Sequence, residues 1–304
     1  MVKLLDTPDP EPGLPFCDVH AHLPPREGLH SRDGRILLIP SPSEQCENFK
    51  GAGGEVLIFS SSDLESTVET LDFVNGRPDV FFSCGMGPGT VMHATGDACD
   101  AQLSQWIEII DSNEIDIIAF GEIGLDFHHA RTLESRRRQI DLFDRILAAV
   151  KPRKKPLVLH VRNAGPGDKD PGNPSHAFNQ PDAATRQVVE MLDGHGIMPS
   201  TVLFHCYSGP ATLNGELAGR GYYFSVPSSA HGFETWYNMS SSLPVDKLMT
   251  ETDSPFQHPR TKDPINTPEN ARYAIAAIAH ARGIDQETVA SITVENARKF
   301  FKIT

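Results

Sequence analysis

The sequence predicts an α/β fold, a (β/α)8 TIM barrel with a metal site at the C-terminal end of its strands, and three observations lead there. Eight short apolar runs alternate with helical patterns along 304 residues, and such alternation indicates a parallel sheet covered by helices. Five of these runs end in ligand-type residues: Asp18-Val-His20-Ala-His22, Gly121-Glu122-Ile-Gly124-Leu-Asp126, Leu159-His160-Val-Arg162, Phe204-His205-Cys206 and Glu251-Thr-Asp253-Ser-Pro255. Their spacing fits as well. Glu122 to His160 is 38 residues, His160 to His205 is 45 and His205 to Asp253 is 48, and a strand with its crossover helix takes about 30 or more. In a barrel of this kind the carboxyl ends of different strands converge on one mouth.

In chain order, strands are expected at 16–19, 55–60, 80–86, 115–121, 156–161, 201–206, 221–226 and 247–251. Most are short apolar runs, as strands covered on both faces require. Residues 35–40 form a ninth apolar run inside an early excursion with Pro-Ser breakers, and read as an outer hairpin or loop. Helical patterns fill the intervals at 63–74, 101–112, 133–149, 182–192, 210–219 and 268–282, and a last one at 285–301 closes the chain. The segment 164–181 is rich in Gly, Pro, Asp and Asn and follows the His160 strand directly. Long loops are usually functional or mobile, so it reads either as a lid that brings His176 toward the site or as an excursion without a role.

Composition bounds the rest. With 39% hydrophobic and 22% charged residues, 1–304 is expected to be a single domain, since α/β barrels of about 250 residues run as one. The chain has no apolar stretch of about 18 residues, and its first residues lead straight into a Pro- and acid-rich segment, so neither a membrane span nor a signal peptide is expected. Five cysteines without paired spacing suit a reducing compartment, the cytoplasm. Cys17 and Cys206 flank the candidate ligands and read as small buried side chains turned away from them. A net charge of −13 argues against broad, non-specific binding to a phosphate polymer, although bound cations and a few basic residues reverse the local field.

His20 and His22 carry the physical case for a metal, because alternate strand residues point to one side and both imidazoles then reach one ion. Glu122, His160, His205 and Asp253 sit at matching strand ends. The ordered motifs resemble the TatD family of metal-dependent hydrolases and DNases, within the amidohydrolase superfamily. The resemblance runs from Asp18 through His205-Cys-Tyr-Ser-Gly209 to a closing Val294-Glu-Asn-Ala-Arg-Lys-Phe300 segment. It implies a distorted TIM barrel, one or two divalent ions, and hydrolysis, most often of nucleic-acid phosphodiesters. By that resemblance His20, His22 and Asp253 hold a first ion, His160 and His205 a second, and Glu122 bridges both.

Imidazole and carboxylate together suit Zn²⁺ or Mn²⁺, while the family is often Mg²⁺-active, so all three ions stay open. In such a centre Asp253 reads as general base or as a pure ligand. Arg162 reads as a planar fork for a phosphate or as one half of a salt bridge between strand ends. Ser208 and Gly209 offer backbone N–H groups to a phosphate or form a turn and an N-cap. His128 and His129 either touch substrate or are solvated. Arg136-Arg-Arg138 and 151–155 read as a solvated helix face and a helix C-terminus, and Gly85-Met-Gly-Pro-Gly89 as a strand-end turn.

Two departures bear on substrate. The family carries Gly-x-His-Pro where this chain has Gly85-Met-Gly-Pro88, and Asn-Glu-Pro where it has Asn266-Thr-Pro268. The leading expectation is a deoxyribonuclease that takes DNA or another phosphodiester. The alternatives are a related amidohydrolase acting on a small amide, ester or lactone, and a barrel that binds without turnover. The intact ligand set argues against the last. A nuclease is expected to gather Arg162, Arg260 and Lys262 around the mouth.

Overall fold

A computed structural model describes residues 5–25, 28–30, 36–93, 96–170, 172–173, 175–261 and 265–304. Eight strands form one sheet in sequence order: β1 (Phe16–Ala21), β4 (Gly54–Ser60), β5 (Phe81–Cys84), β6 (Ile117–Asp126), β7 (Leu157–Arg162), β8 (Val202–His205), β9 (Tyr223–Pro227) and β10 (Leu248–Glu251). Strands were expected at all eight places. Two short strands, β2 (Leu29–His30) and β3 (Ile36–Leu37), pair antiparallel apart from the sheet, which makes the early excursion an outer hairpin. Its expected first residue, Arg35, lies outside the described residues.

Helices fill the intervals: α1 (Pro42–Gly51), α2 (Leu64–Val74), α3 (Thr90–His93), α4 (Gly96–Ser112), α5 (Leu133–Val150), α6 (Ala183–Gly194), α7 (Ala211–Arg220), α8 (Glu234–Ser242), α9 (Arg272–Arg282) and α10 (Gln286–Phe301). The sequence reading did not place α1, α3 or α8. The start of α1 carries a legible signal all the same. Ser41 caps the backbone of Glu44, the Glu44 carboxylate returns to Ser41, and Pro42 stands in the first turn, a capping box.

The described residues pack as two compact units, one within 1–59, 76–81 and 223–304, the other within 60–75 and 82–222. In the first, β9 and β10 are parallel with Thr250 opposite Val226, and β1 is parallel to β4. The edge of β10 also meets β1. Thr250 Oγ1 donates to Cys17 O at 2.5 Å and Asp253 N to His20 O at 2.9 Å, so the first and last strands of the sheet lie side by side, as a (β/α)8 barrel requires. Cys17 is buried with Sγ 3.3 Å from Thr250 Oγ1 and 3.6 Å from Thr293 O of α10, and burial pushes its thiol up to about 11. Asn296 on α10 donates to Leu248 O at 2.7 Å and Val245 O at 3.1 Å, which pins the closing helix to the start of β10.

In the second unit β5 to β8 are parallel, with Gly124 opposite His160 and His160 opposite His205. Register irregularities interrupt the β1–β4, β5–β6 and β6–β7 pairings. The strand β6 runs to Asp126, five residues past the expected end at 121. Glycine permits close approach between β6 and β7: a Cβ on Gly124 would stand 2.1 Å from His160 O, and one on Gly121 2.3 Å from Val158 O. Arg136 corrects the reading of 136–138 as a solvated face. It is fully buried and donates to Ala130 O, Phe127 O, Phe178 O, Asn179 Oδ1 and Asp168 O at 2.6–2.9 Å. One guanidinium thus staples the loop after β6 to the long loop after β7.

Candidate metal centre

His20 and His22 leave the end of β1, and Asp253 follows the end of β10. Their ligand atoms converge: His20 Nε2 to His22 Nε2 is 3.2 Å, His22 Nε2 to Asp253 Oδ1 3.4 Å, and His20 Nε2 to Asp253 Oδ1 3.8 Å. Ligands about 2.0–2.2 Å from one ion at tetrahedral to octahedral angles lie about 2.8–3.6 Å apart. Two of the three spacings fit that range and the third exceeds it by about 0.2 Å, so two imidazoles and a carboxylate suit one divalent ion.

Two residues outside the expected ligand set position this trio. Asp18, fully buried, accepts from His20 N at 3.2 Å and from Thr252 N at 3.0 Å with Oδ1, and from Thr252 Oγ1 at 2.5 Å with Oδ2. It ties the His20 backbone to the residue before Asp253. Burial raises its carboxyl well above the ordinary range despite those donors. Gln257 donates to Asp253 Oδ2 at 2.8 Å, and its own Oε1 accepts from Ser229 at 3.1 Å. An aspartate carboxylate otherwise turns broadly about its last torsion, and this amide holds Oδ1 toward the imidazoles. Asn266, beside the departure at Thr267, supports the same loop, since its buried Nδ2 donates to Thr252 O at 3.0 Å and Gln257 O at 3.2 Å.

In the second unit Glu122 Oε2 lies 2.9 Å from His205 Nε2 and 3.3 Å from His160 Nδ1, and the two imidazole nitrogens are 3.3 Å apart. This second set of two nitrogens and one oxygen fits the range for one ion. His160 turns its other nitrogen to Asp126 Oδ2 at 3.3 Å, the carboxylate–histidine pairing that fixes the orientation of a ligand imidazole. Burial opposes charge on His160, but Glu122 on one side and Asp126 on the other outweigh it and push the group up to about 9. The site draws positive charge, as a cation site should.

Asp126 closes the Gly121–Asp126 motif, where the sequence reading assigns it no role. The signal was present, because residues 122, 124 and 126 alternate along one strand and face one way. The Gly85-to-Gly89 turn is also more than punctuation. A Cβ on Gly85 would stand 2.2 Å from Glu122 N, so this glycine makes room for the Glu122 backbone, while one on Gly87 would stand 3.2 Å from Ser62 O and 3.4 Å from Glu122 Oε1.

The expected substrate residues fare differently. Arg162 is exposed two residues beyond His160 on β7 and makes no ion pair among the described residues. Helix α7 begins at Ala211 with Pro210 as N-cap, so Ser208 and Gly209 precede the helix and do not cap it. Gly209 leaves room for the Tyr207 ring, whose hydroxyl would be 2.1 Å from an added Cβ. Arg260 is ion-paired to Asp9 and stacked on Tyr273, and Lys262 lies outside the described residues. His176 accepts from Phe178 N at 3.1 Å and packs on the Phe178 ring, which makes it a local cap of its own loop. His128 and His129 both contact carboxylates, His128 Nδ1 at 2.6 Å from Asp168 and His129 Nδ1 at 2.6 Å from Asp126.

Sets of two imidazoles and one carboxylate at the carboxyl ends of parallel barrel strands suit divalent-metal chemistry at the catalytic face of this fold. The family described as TatD related DNase matches residues 17–302. An uncharacterized metal-dependent hydrolase of Methanocaldococcus jannaschii, MJ1582, is 26% identical over 287 residues, covering 94% of this chain and 97% of its own. The 3′-5′ ssDNA/RNA exonuclease TatD of a Rahnella species is 28% identical over 275 residues, covering 85% and 91%. The crystal structure of YJJV, a TatD homolog from Escherichia coli, superposes with a TM-score of 0.74 at 20% identity, covering 95% of this chain and 98% of that one. The chain belongs to the TatD family of metal-dependent hydrolases.

Proposed function

We propose that this protein is a deoxyribonuclease that hydrolyses DNA phosphodiester bonds with water. The observation that carries the reading is the complete donor set, His20, His22 and Asp253 in one unit and Glu122, His160 and His205 in the other. Following the family motifs, His20, His22 and Asp253 would hold one divalent ion, and Glu122, His160 and His205 another. When bound, such ions acidify water and neutralise charge on phosphoryl oxygens. Zn²⁺ and Mn²⁺ suit the four imidazoles best, and Mg²⁺ is the third candidate.

The chain's own residues do the rest. Asp253, fixed by Gln257, takes the proton of the attacking water. Arg162, exposed on the strand that bears His160, orients a phosphate with its planar fork, and the backbone at Ser208 and Gly209 supplies further N–H groups. The relative from Rahnella, named as a single-strand exonuclease, supports DNA as substrate. Among the described residues no helix is long and apolar enough to cross a membrane, and all five cysteines are thiols, which supports the cytoplasm as the compartment. A second reading keeps the donors and replaces DNA with a small amide, ester or lactone. The capture of Arg260 by Asp9 favours it, because one expected phosphate cation is already engaged.

The test is a pair of single-stranded oligonucleotides, labelled at the 3′ or the 5′ end, incubated with protein and either Mg²⁺ or Mn²⁺. Cleavage that needs metal and disappears in Asp253→Asn is expected, and the label pattern gives the polarity. Metal-loaded protein that leaves both oligonucleotides intact would move the reading to the small-molecule hydrolase, and equal activity in Asp253→Asn would remove Asp253 as base.

A further inference from the structure

Outside the ligand set, the loop after β6 presents an imidazole that the reading above does not use. His128 stands two residues beyond Asp126, and its Nδ1 lies 2.6 Å from Asp168 Oδ2. Asp168 belongs to the loop that leaves β7, so the pair joins the two loops that follow the Glu122 and His160 strands. Loops at the carboxyl ends of barrel strands carry the reacting groups in this architecture.

The pair is built rather than incidental. The Asp168 side chain is 8% exposed and also accepts from Gly165 N at 2.8 Å. Arg136 holds both members. Its guanidinium donates to Asp168 O at 2.6 Å and to Phe127 O, next to His128, at 2.9 Å. A solvated surface pair needs no buried arginine to fix both of its backbones. With Nδ1 committed, Nε2 is the imidazole atom left for chemistry. It has no hydrogen-bond partner among the described residues, and the side chain is 31% exposed. The neighbouring His129 differs, because its carboxylate, Asp126, is shared with the ligand His160.

We propose that His128 is the general acid of the hydrolysis and that Asp168 is its positioning residue, an assignment that rests on the phosphodiester reading. As the water oxygen bonds to phosphorus, the bond from phosphorus to the leaving oxygen breaks and its electron pair moves onto that oxygen. The leaving oxygen takes the proton from Nε2 of His128, while the water's proton passes to solvent. Water thus adds across the ester, and His128 is restored by proton exchange with solvent. A sugar alkoxide is a strongly basic leaving group and needs this proton. A 4-nitrophenolate does not.

That contrast supplies the experiment. The metal-loaded full chain and its His128→Gln and Asp168→Asn variants are assayed on a thymidine dinucleotide and on thymidine 5′-(4-nitrophenyl phosphate), with metal stoichiometry measured alongside. The expected result is a loss of about 100-fold in kcat for His128→Gln on the dinucleotide, with the nitrophenyl ester hydrolysed at the wild-type rate and the metal content unchanged. Asp168→Asn shows a smaller loss with the same selectivity. Equal losses on both esters, or none on either, in a protein whose wild type cleaves both would overturn this assignment alone. A wild type inert toward both esters overturns the nuclease reading and this assignment with it.

Discussion

Arg136→Met removes a guanidinium that serves five acceptors and keeps most of the volume of its stem. Four main-chain carbonyls and Asn179 Oδ1 lose their donor. At about 1 kcal/mol net for each hydrogen bond the gross loss is about 5 kcal/mol. Relief from burying the charge returns part of that, since the burial penalty of an ion amounts to several kcal/mol before its partners are counted. The expected net destabilisation is about 3 kcal/mol, well above the usual effect of a surface change. Urea denaturation checks it, read as a fall in midpoint at constant slope. Exposed Arg137→Met is the control, expected to stay within about 0.5 kcal/mol. Limited proteolysis of the folded variant should open first within 164–181, because the long loop has lost its staple. A destabilisation for Arg136→Met no greater than that of the control would refute the reasoning and return Arg136 to the solvated face.

Gln257→Leu is expected to weaken binding of one metal equivalent by about 10- to 100-fold, seen as one altered step in a Mn²⁺ calorimetric titration, with no further loss when Asp253 is already Asn. Asp126→Asn should likewise weaken the equivalent held by His160 and leave the other unchanged in the same titration. Gly87→Ala is expected to fold at little cost, since its Cβ meets Ser62 O at 3.2 Å and Glu122 Oε1 at 3.4 Å, whereas Gly85→Ala, 2.2 Å from Glu122 N, should lower the melting temperature sharply in a thermal scan. His231 is buried, donates to Pro8 O at 2.9 Å, and is held below the usual imidazole range mainly by burial. A depressed pKa means that the unfolded chain takes up the proton first, so this contribution is full above about pH 6.5 and is lost as pH falls through the folded value. Urea midpoints at pH 7.5 and 5.5 should differ less in His231→Gln than in wild type.

The strand ends were legible in sequence because a buried parallel strand is a short apolar run, and a histidine or carboxylate at its end stands out against that run. Alternation along β1 and β6 also announced which side chains share a face. What stayed hidden depends on contacts between distant segments. Three consecutive arginines look alike in sequence, and only the acceptors that Phe127, Ala130, Asp168, Phe178 and Asn179 turn toward Arg136 separate it from Arg137. Gln257 is an ordinary polar residue until the backbone turns at Asp253 and aims its amide at the carboxylate. Gly85 resembles any loop glycine because the peptide that needs its space lies more than thirty residues further along the chain.

Asp253 sits in the left-handed region, with φ of 56°, where its backbone nitrogen reaches back to His20 and its carbonyl accepts from Phe256. Aspartate and asparagine tolerate this conformation far better than branched or bulky residues. A library that samples many side chains here would therefore mix two signals. Asn keeps the turn and removes the charge. Val removes the charge and opposes the turn, so inactive variants at this position report chemistry when the replacement is asparagine, or Gly, which keeps the turn while deleting the side chain.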